Sequence, residues 1–220
     1  MKIFLDTADR TSIKKWIKTG IIDGITTNPS NLSKEGTNSR QVLADICAML
    51  PYGDISIEVV EKEPQAMYEQ ALEISKFAPN VTVKIPFTEE FLPIIDRLCK
   101  EEIAVNVTLI FSVLQALLVA KMGVTYISPF VGRWDDIDAN GIELVDQLMQ
   151  LKTNYDFESE IIVASIRSLT HWNQAALAGA DIATIQPVFL EQLMHHPLTE
   201  RGIAKFDADW KKLGKNKLFE

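Results

Sequence analysis

Short apolar runs alternate with longer amphipathic stretches along nearly the whole 220-residue chain, and this restricts the fold more than any single motif. The runs KIFLD (2–6), GITTN (24–28), ISIEVV (55–60), VTVKIP (81–86), AVNVTLI (104–110), TYISPFV (125–131), EIIVASI (160–166) and DIATIQ (181–186) read as strands. Between them, RTSIKKWIKTG, PQAMYEQALEISKFA, EEFLPIIDRLCKE and SVLQALLVAKMG have helical spacing, and Gly20, Pro79 and Gly123 fall where helices should stop. Strands that are each followed by a helix imply parallel pairing through right-handed crossovers. An open doubly wound sheet can hold this many strands, but a closed eight-fold barrel fits the count better. The expected fold is α/β, a (β/α)8 TIM barrel with an additional C-terminal helix. The chain is near the short end of that fold's size range, so a single domain over 1–220 is expected, with no inserted domain. Residues 197–220 are expected to form a C-terminal helical extension with basic residues near its end.

Charge narrows the partners. The net charge of −8 argues against a nucleic-acid-binding surface, which needs a basic face. Two well-placed arginines on an acidic protein still make a local pocket for a small anion. Cys47 and Cys99 lie in helical stretches without CxxC spacing and read as packed, reduced thiols. MKIFLDTADR reaches Asp6 too soon for a signal-peptide apolar region, and no apolar run approaches the ~20 residues of a membrane span. The expectation is a cytoplasmic protein that binds neither nucleic acid nor membrane.

Successive side chains of a strand point to opposite faces. Asp6 shares a face with Phe4, Asn28 with Thr26, Glu58 with Ser56, and Lys84 with Thr82. Asn106 goes with Thr108, Ser128 with Phe130, and Ser165 with Arg167. In each of these seven strands the polar face lies opposite an aliphatic one suited to packing under helices. In a barrel the polar face is the interior, and its C-terminal mouth is where such enzymes react. Each residue also has a structural explanation. Asp6 can cap a helix, Asn28 before Pro29 can be a turn residue, and Arg133 can pair with Asp135 or Asp136 on the surface. Arg167 can lie in an exposed loop, and Ser165, Thr108 and Phe130 are ordinary residues for their places. For Lys84 the two readings are even. That all these explanations hold while converging on one rim is less plausible than one active site.

The chemistry follows from the residue types. A lysine amine desolvated inside a barrel has its pKa lowered toward neutrality and can attack a carbonyl, forming a Schiff base that acts as an electron sink. Proton carriers are then needed, and Glu58 and Asp6 are the available carboxylates. Metal-dependent chemistry would call for a histidine cluster, whereas His171, His195 and His196 fall late in the chain in helical segments, so no metal is expected. Neither a GxSxG elbow nor a glycine-rich phosphate loop is present. Arg133 and Arg167 follow the sixth and seventh strands, near where barrels often hold phosphate, and with Ser165 they suit a phosphate at one end of a sugar.

FLDTAD, GITTNPS, VKIPFT, NVTLIFS, ISPFVGR and ASIR resemble the signature segments of the transaldolase family, in particular its short branch, which includes the microbial fructose-6-phosphate aldolases. The resemblance implies that Lys84 forms the Schiff base and that Asp6 takes the proton from the fourth-carbon hydroxyl as the C3–C4 bond breaks. It implies that Glu58, through a water held with Thr108, shuttles protons. Asn28, Asn106 and Ser128 would hold the dihydroxyacetone fragment, with Phe130 beside it, and Arg133, Ser165 and Arg167 would bind phosphate. No cofactor is implied. The substrates are sugar phosphates, and the fragment passes from a ketose phosphate to an aldose phosphate. The aldolases tend to carry glutamine, tyrosine and lysine where this chain has Glu58, Phe130 and Arg167, so those positions resemble transaldolases. The terminal helix resembles one that packs on a neighbouring subunit, implying a homo-oligomer (pentamer or decamer). Its stripe of Ile203, Phe206 and Trp210 suits a partner surface. Trp134 and Gln186 have no assigned role, although Gln186 ends the eighth strand facing the mouth.

Overall fold

The computed structural model describes residues 1–214 and 218–219. The strands are β1 (Lys2–Asp6), β2 (Gly24–Thr26), β3 (Asp54–Glu58), β4 (Val81–Pro86), β5 (Val105–Ile110), β6 (Tyr126–Pro129), β7 (Glu160–Val163) and β8 (Ile182–Ile185). All pair in parallel and in chain order, and β8 closes onto β1 to complete a barrel. The helices are α1 (Arg10–Ile17), α2 (Pro29–Leu32), α3 (Ser39–Met49), α4 (Pro64–Ser75), α5 (Leu92–Lys100), α6 (Val113–Ala120), α7 (Val131–Asp135), α8 (Gly141–Tyr155), α9 (Leu169–Leu177), α10 (Pro187–Met194) and α11 (Pro197–Lys212). The fold is a TIM barrel followed by a C-terminal helix. Residues Met1–Pro187 form one compact unit, and a second begins at Val188. Of the expected extension over 197–220, residues 215–217 and 220, including the basic Lys215 and Lys217, lie outside the described residues.

The helix starts have local causes. Asp9 caps α1, Ser112 caps α6 and Ser168 caps α9, each side chain accepting first-turn N–H bonds. Gly20 (φ +75°) and Gly123 (φ +78°) take the left-handed conformation just beyond α1 and α6.

The outward strand faces carry Leu5, Ile25, Ile55, Val83, Ile85, Val105 and Val107, all buried beneath the helical layer. Each such side chain stabilises the fold by about 1.5–3 kcal/mol relative to exposure. The inward face is layered. At its lower end Phe4, Tyr126, Ile162 and Ile182 pack as one cluster, with the Phe4 and Tyr126 rings edge-to-face at 6.1 Å. A Cβ on Gly24 would lie 2.6 Å from both the Phe4 ring and the Asp54 carbonyl, so the register there requires glycine. Above the cluster is a polar layer that satisfies itself. The Thr26 and Thr184 hydroxyls bond at 2.6 Å, Asn106 Nδ2 donates to Ser56 Oγ at 3.0 Å, and Ser128 Oγ donates to Asn106 Oδ1 at 2.7 Å. Side chains at the mouth therefore stand on a hydrogen-bonded floor.

Several strands end or bend differently from the sequence expectation, among them β3, which stops at Glu58, and β6, which stops at Pro129 and leaves Phe130 beyond the strand. β2 stops at Thr26, because Asn28 instead caps α2. β5 shifts register between Val107 and Ile110, with Leu109 at φ +60°. β7 stops at Val163, and Ala164 makes only an isolated bridge to Phe130. The alternation assigned Ser165 and Arg167 to the inward face of the seventh strand, and the structure corrects this. The inward residue of β7 is Ile162, and Ser165 (φ +59°) turns the chain beyond the strand end.

Candidate active site

A cavity of about 480 Å³ opens among the C-terminal ends of the strands. Asp6, Asn28, Glu58, Lys84, Ser128, Phe130, Arg133, Ser165 and Arg167 all line it. Two expected site residues do not. Asn106 is fully buried in the polar layer between Ser56 and Ser128, and Thr108 is fully buried on β5. The Thr108 Oγ1 atom is buried with no hydrogen-bond partner among the described residues.

Lys84 is the centre of the arrangement. Strand register sets Glu58 of β3 directly beside Lys84 of β4. Their side chains form an ion pair at 2.9 Å (Nζ to Oε2), with side-chain exposures of 5% and 15%. The ammonium also donates to the Thr27 carbonyl at 3.1 Å. An isolated buried ammonium is strongly disfavoured, so the carboxylate and carbonyl are what allow it to sit there. Two of its three donor positions are then used. A carboxylate within hydrogen-bond reach of an amine that lines a cavity can take up the amine's proton and return it.

Asp6 lies on the same cavity at the end of β1. Its Oδ1 accepts from Asn31 Nδ2 at 2.8 Å and from Asn28 Nδ2 at 3.4 Å. Burial pushes its carboxyl above the ordinary value of 3.8, while the Lys84 charge and the Asn31 bond pull partly back. The folded chain therefore holds the Asp6 proton to higher pH than the unfolded chain. Stability from the protonated form is complete at low pH and declines as pH rises through 3.8 toward the raised value. If Asp6 serves as a base it must be ionised to act, and the acid limb of kcat/KM then has its midpoint above 3.8. A pH–rate profile of the wild-type protein measures this directly, and a limb in the ordinary aspartate range would separate Asp6 from the rate.

The opposite side of the mouth is cationic. Arg133, on α7, sits 5.1 Å from the Phe130 ring centroid and makes no direct ion pair among the described residues, though its charge adds to the Arg167 hydrogen bonds in holding the Asp136 carboxyl below its ordinary value. The surface pairing considered for it goes elsewhere. Asp136 takes Arg167 through both terminal nitrogens, with Nη2 to Oδ2 at 2.7 Å, and Asp135 takes His171 Nε2 at 2.8 Å. Gly132 lets these loops meet, since a Cβ there would lie 2.3 Å from the Ser165 carbonyl and 2.7 Å from Arg167 Nε.

Sequence reasoning missed Asn31, the nearer of the two amides holding Asp6. The available signal was its i+3 spacing from Asn28 on a helix opened by Pro29. Leu109 and Thr184 also line the cavity, as does Gln186, one residue beyond the end of β8. Trp134 is not among the lining residues.

The transaldolase/fructose-6-phosphate aldolase family matches residues 3–217. A "probable transaldolase" of Dehalococcoides mccartyi is 50% identical over 216 residues, covering 98% of this chain and 100% of that protein. Another "probable transaldolase", from Caldicellulosiruptor saccharolyticus, is 50% identical over 216 residues, covering 98% and 99%. A third, from Methanococcus maripaludis, is 49% identical over 210 residues, covering 96% and 97%.

Proposed function

Because the chain belongs to the transaldolase/fructose-6-phosphate aldolase family, we propose that this enzyme is a Schiff-base transaldolase. It moves a dihydroxyacetone unit from a ketose phosphate, such as fructose 6-phosphate or sedoheptulose 7-phosphate, to an aldose phosphate. The observation that carries this is the buried Lys84–Glu58 pair at 2.9 Å on a cavity shared with Asp6.

Glu58 accepts the Lys84 proton, and the free amine attacks the carbonyl carbon of the ketose. Returned through a water held with Thr108, that proton leaves with the carbinolamine hydroxyl as water, giving an iminium. Asp6 then removes the proton of the fourth-carbon hydroxyl. The C3–C4 electron pair flows into the iminium, producing an enamine on Lys84 and releasing the first aldehyde. An acceptor aldehyde enters, the enamine carbon bonds to its carbonyl carbon, and Asp6 returns the proton to the new alkoxide. Hydrolysis frees the product ketose. Asn28, Asn106 and Ser128 hold the three-carbon fragment, Asn106 by fixing the Ser128 hydroxyl at 2.7 Å. Arg133, Ser165 and Arg167 receive the phosphate. The reaction belongs to the pentose phosphate pathway of the cytoplasm. A homo-oligomer, pentamer or decamer, is the proposed assembly, supported by Ile203 (56% exposed) and Phe206 (72% exposed) on α11.

The alternative within the family is an aldolase that releases free dihydroxyacetone. Phe130 lines the cavity without a proton donor, which favours an enamine that waits for its acceptor. A barrel that only binds sugar phosphates is the alternative outside catalysis. Incubation with fructose 6-phosphate, with and without erythrose 4-phosphate, separates these. Glyceraldehyde 3-phosphate that forms only with the acceptor supports transfer. Formation without it, accompanied by free dihydroxyacetone, means aldolase, and none in either case leaves only binding.

A further inference from the structure

Arg167 raises a question of geometry that its proposed phosphate role does not answer. Its side chain is nearly half exposed at an open mouth, where a long cation samples many rotamers. Yet it is held from several directions. Gly132 leaves just enough room for its stem, and its backbone N–H reaches His171 Nδ1 at 3.5 Å. His171 is itself fixed by Asp135 at 2.8 Å, an arrangement that a neutral imidazole protonated on Nε2 satisfies at both nitrogens. The guanidinium meets Asp136 fork to fork.

The position of Asp136 relative to the cavity is the deciding fact. Arg133, Ser165 and Arg167 line the cavity, and Asp136 does not. A carboxylate occupying the place of the substrate's phosphate would line it. Asp136 therefore grips the guanidinium from outside, using one N–H on each terminal nitrogen and leaving the second N–H of each uncommitted to it. We infer that Asp136 is a positioning residue for the substrate's phosphate, a backstop that aims Arg167 into the cavity, where Arg133 and Ser165 complete the anion site. This rests on the phosphate role proposed above for Arg167. Preorganisation of this kind strengthens binding without a new contact to the ligand, because the ordering of the side chain precedes binding. It acts against a Coulomb effect of opposite sign, since the Asp136 charge also repels a phosphate dianion, so the direction of the mutational effect is informative.

The experiment measures the inhibition constant of inorganic phosphate, and KM and kcat for fructose 6-phosphate, in the wild-type protein, Arg167→Ala, Asp136→Asn and Asp136→Glu. Arg167→Ala should weaken phosphate by about ten- to hundredfold, as expected for loss of charge-assisted bonds. Asp136→Asn should weaken it by roughly three- to fivefold, the scale of an exposed ion pair, with the loss in KM rather than kcat. Asp136→Glu, which keeps the carboxylate, should recover part of that loss, which a merely structural contribution would not do. If Arg167→Ala weakens phosphate while Asp136→Asn leaves it unchanged or tightens it, the backstop is wrong and the phosphate site stands. If Arg167→Ala has no effect, the phosphate role of Arg167 falls, and the backstop with it.

Discussion

Lys84→Met should lose activity by about 10⁴-fold or more, the scale on which removing a covalent nucleophile acts. Borohydride with fructose 6-phosphate should then trap no adduct, because methionine cannot form an imine. The expectation rests on the cavity lining, which offers no second amine among the described residues. Among the described residues that line the cavity Lys84 is the only lysine, and the other cations there are the guanidinium groups of Arg133 and Arg167. The variant should fold. Removing one partner of a fully buried pair is costly, about 3–5 kcal/mol, but Glu58 borders the cavity and is 15% exposed, so water can take part of the ammonium's place. A thermal melt alongside the rate measurement checks this. A folded Lys84→Met protein that keeps activity within tenfold of wild type would remove Lys84 from the chemistry.

Asp6→Asn should separate the steps of the reaction. Turnover should fall by roughly 10²–10⁴-fold, the usual contribution of a positioned general base. Imine formation should survive, because it depends on Lys84 and Glu58, which remain paired at 2.9 Å on neighbouring strands. Asparagine is nearly isosteric and can still bond Asn31. The loss therefore reports the missing proton acceptor rather than a collapsed site. Borohydride should trap the substrate on the variant in good yield while glyceraldehyde 3-phosphate formation is slow. Loss of trapping in parallel with turnover would place Asp6 before carbon–carbon cleavage, in conflict with its proposed role.

Much of this was legible in the residues. Alternation alone put Asp6, Glu58 and Lys84 on the inward faces of their strands, and chain-order parallel pairing made Glu58 and Lys84 neighbours. What alternation cannot report is depth. Asn106 and Thr108 face inward too, and register sets them level with Lys84 and Pro86, yet both side chains are fully buried and neither lines the cavity. Nor can it report where a strand ends. Ser165 reaches the cavity through a left-handed residue beyond β7, a conformation that a serine adopts only when surrounding contacts enforce it. The partner of Arg167 was hidden for a related reason. Asp136 is three residues after Arg133 in sequence, and only the tertiary approach of the loops at Gly132 brings it to Arg167, 31 residues away. Asn31 shows the opposite case, since its spacing from Asn28 was readable.

In the proposed reaction Lys84 carries the three-carbon fragment as a covalent imine. The most direct test is to reduce the wild-type protein with borohydride in the presence of fructose 6-phosphate, digest it, and map the modified peptide by mass spectrometry. A single reduced dihydroxyacetone adduct is expected on Lys84, within VTVKIPFT. An adduct on any other lysine, or none under conditions of full turnover, would contradict it.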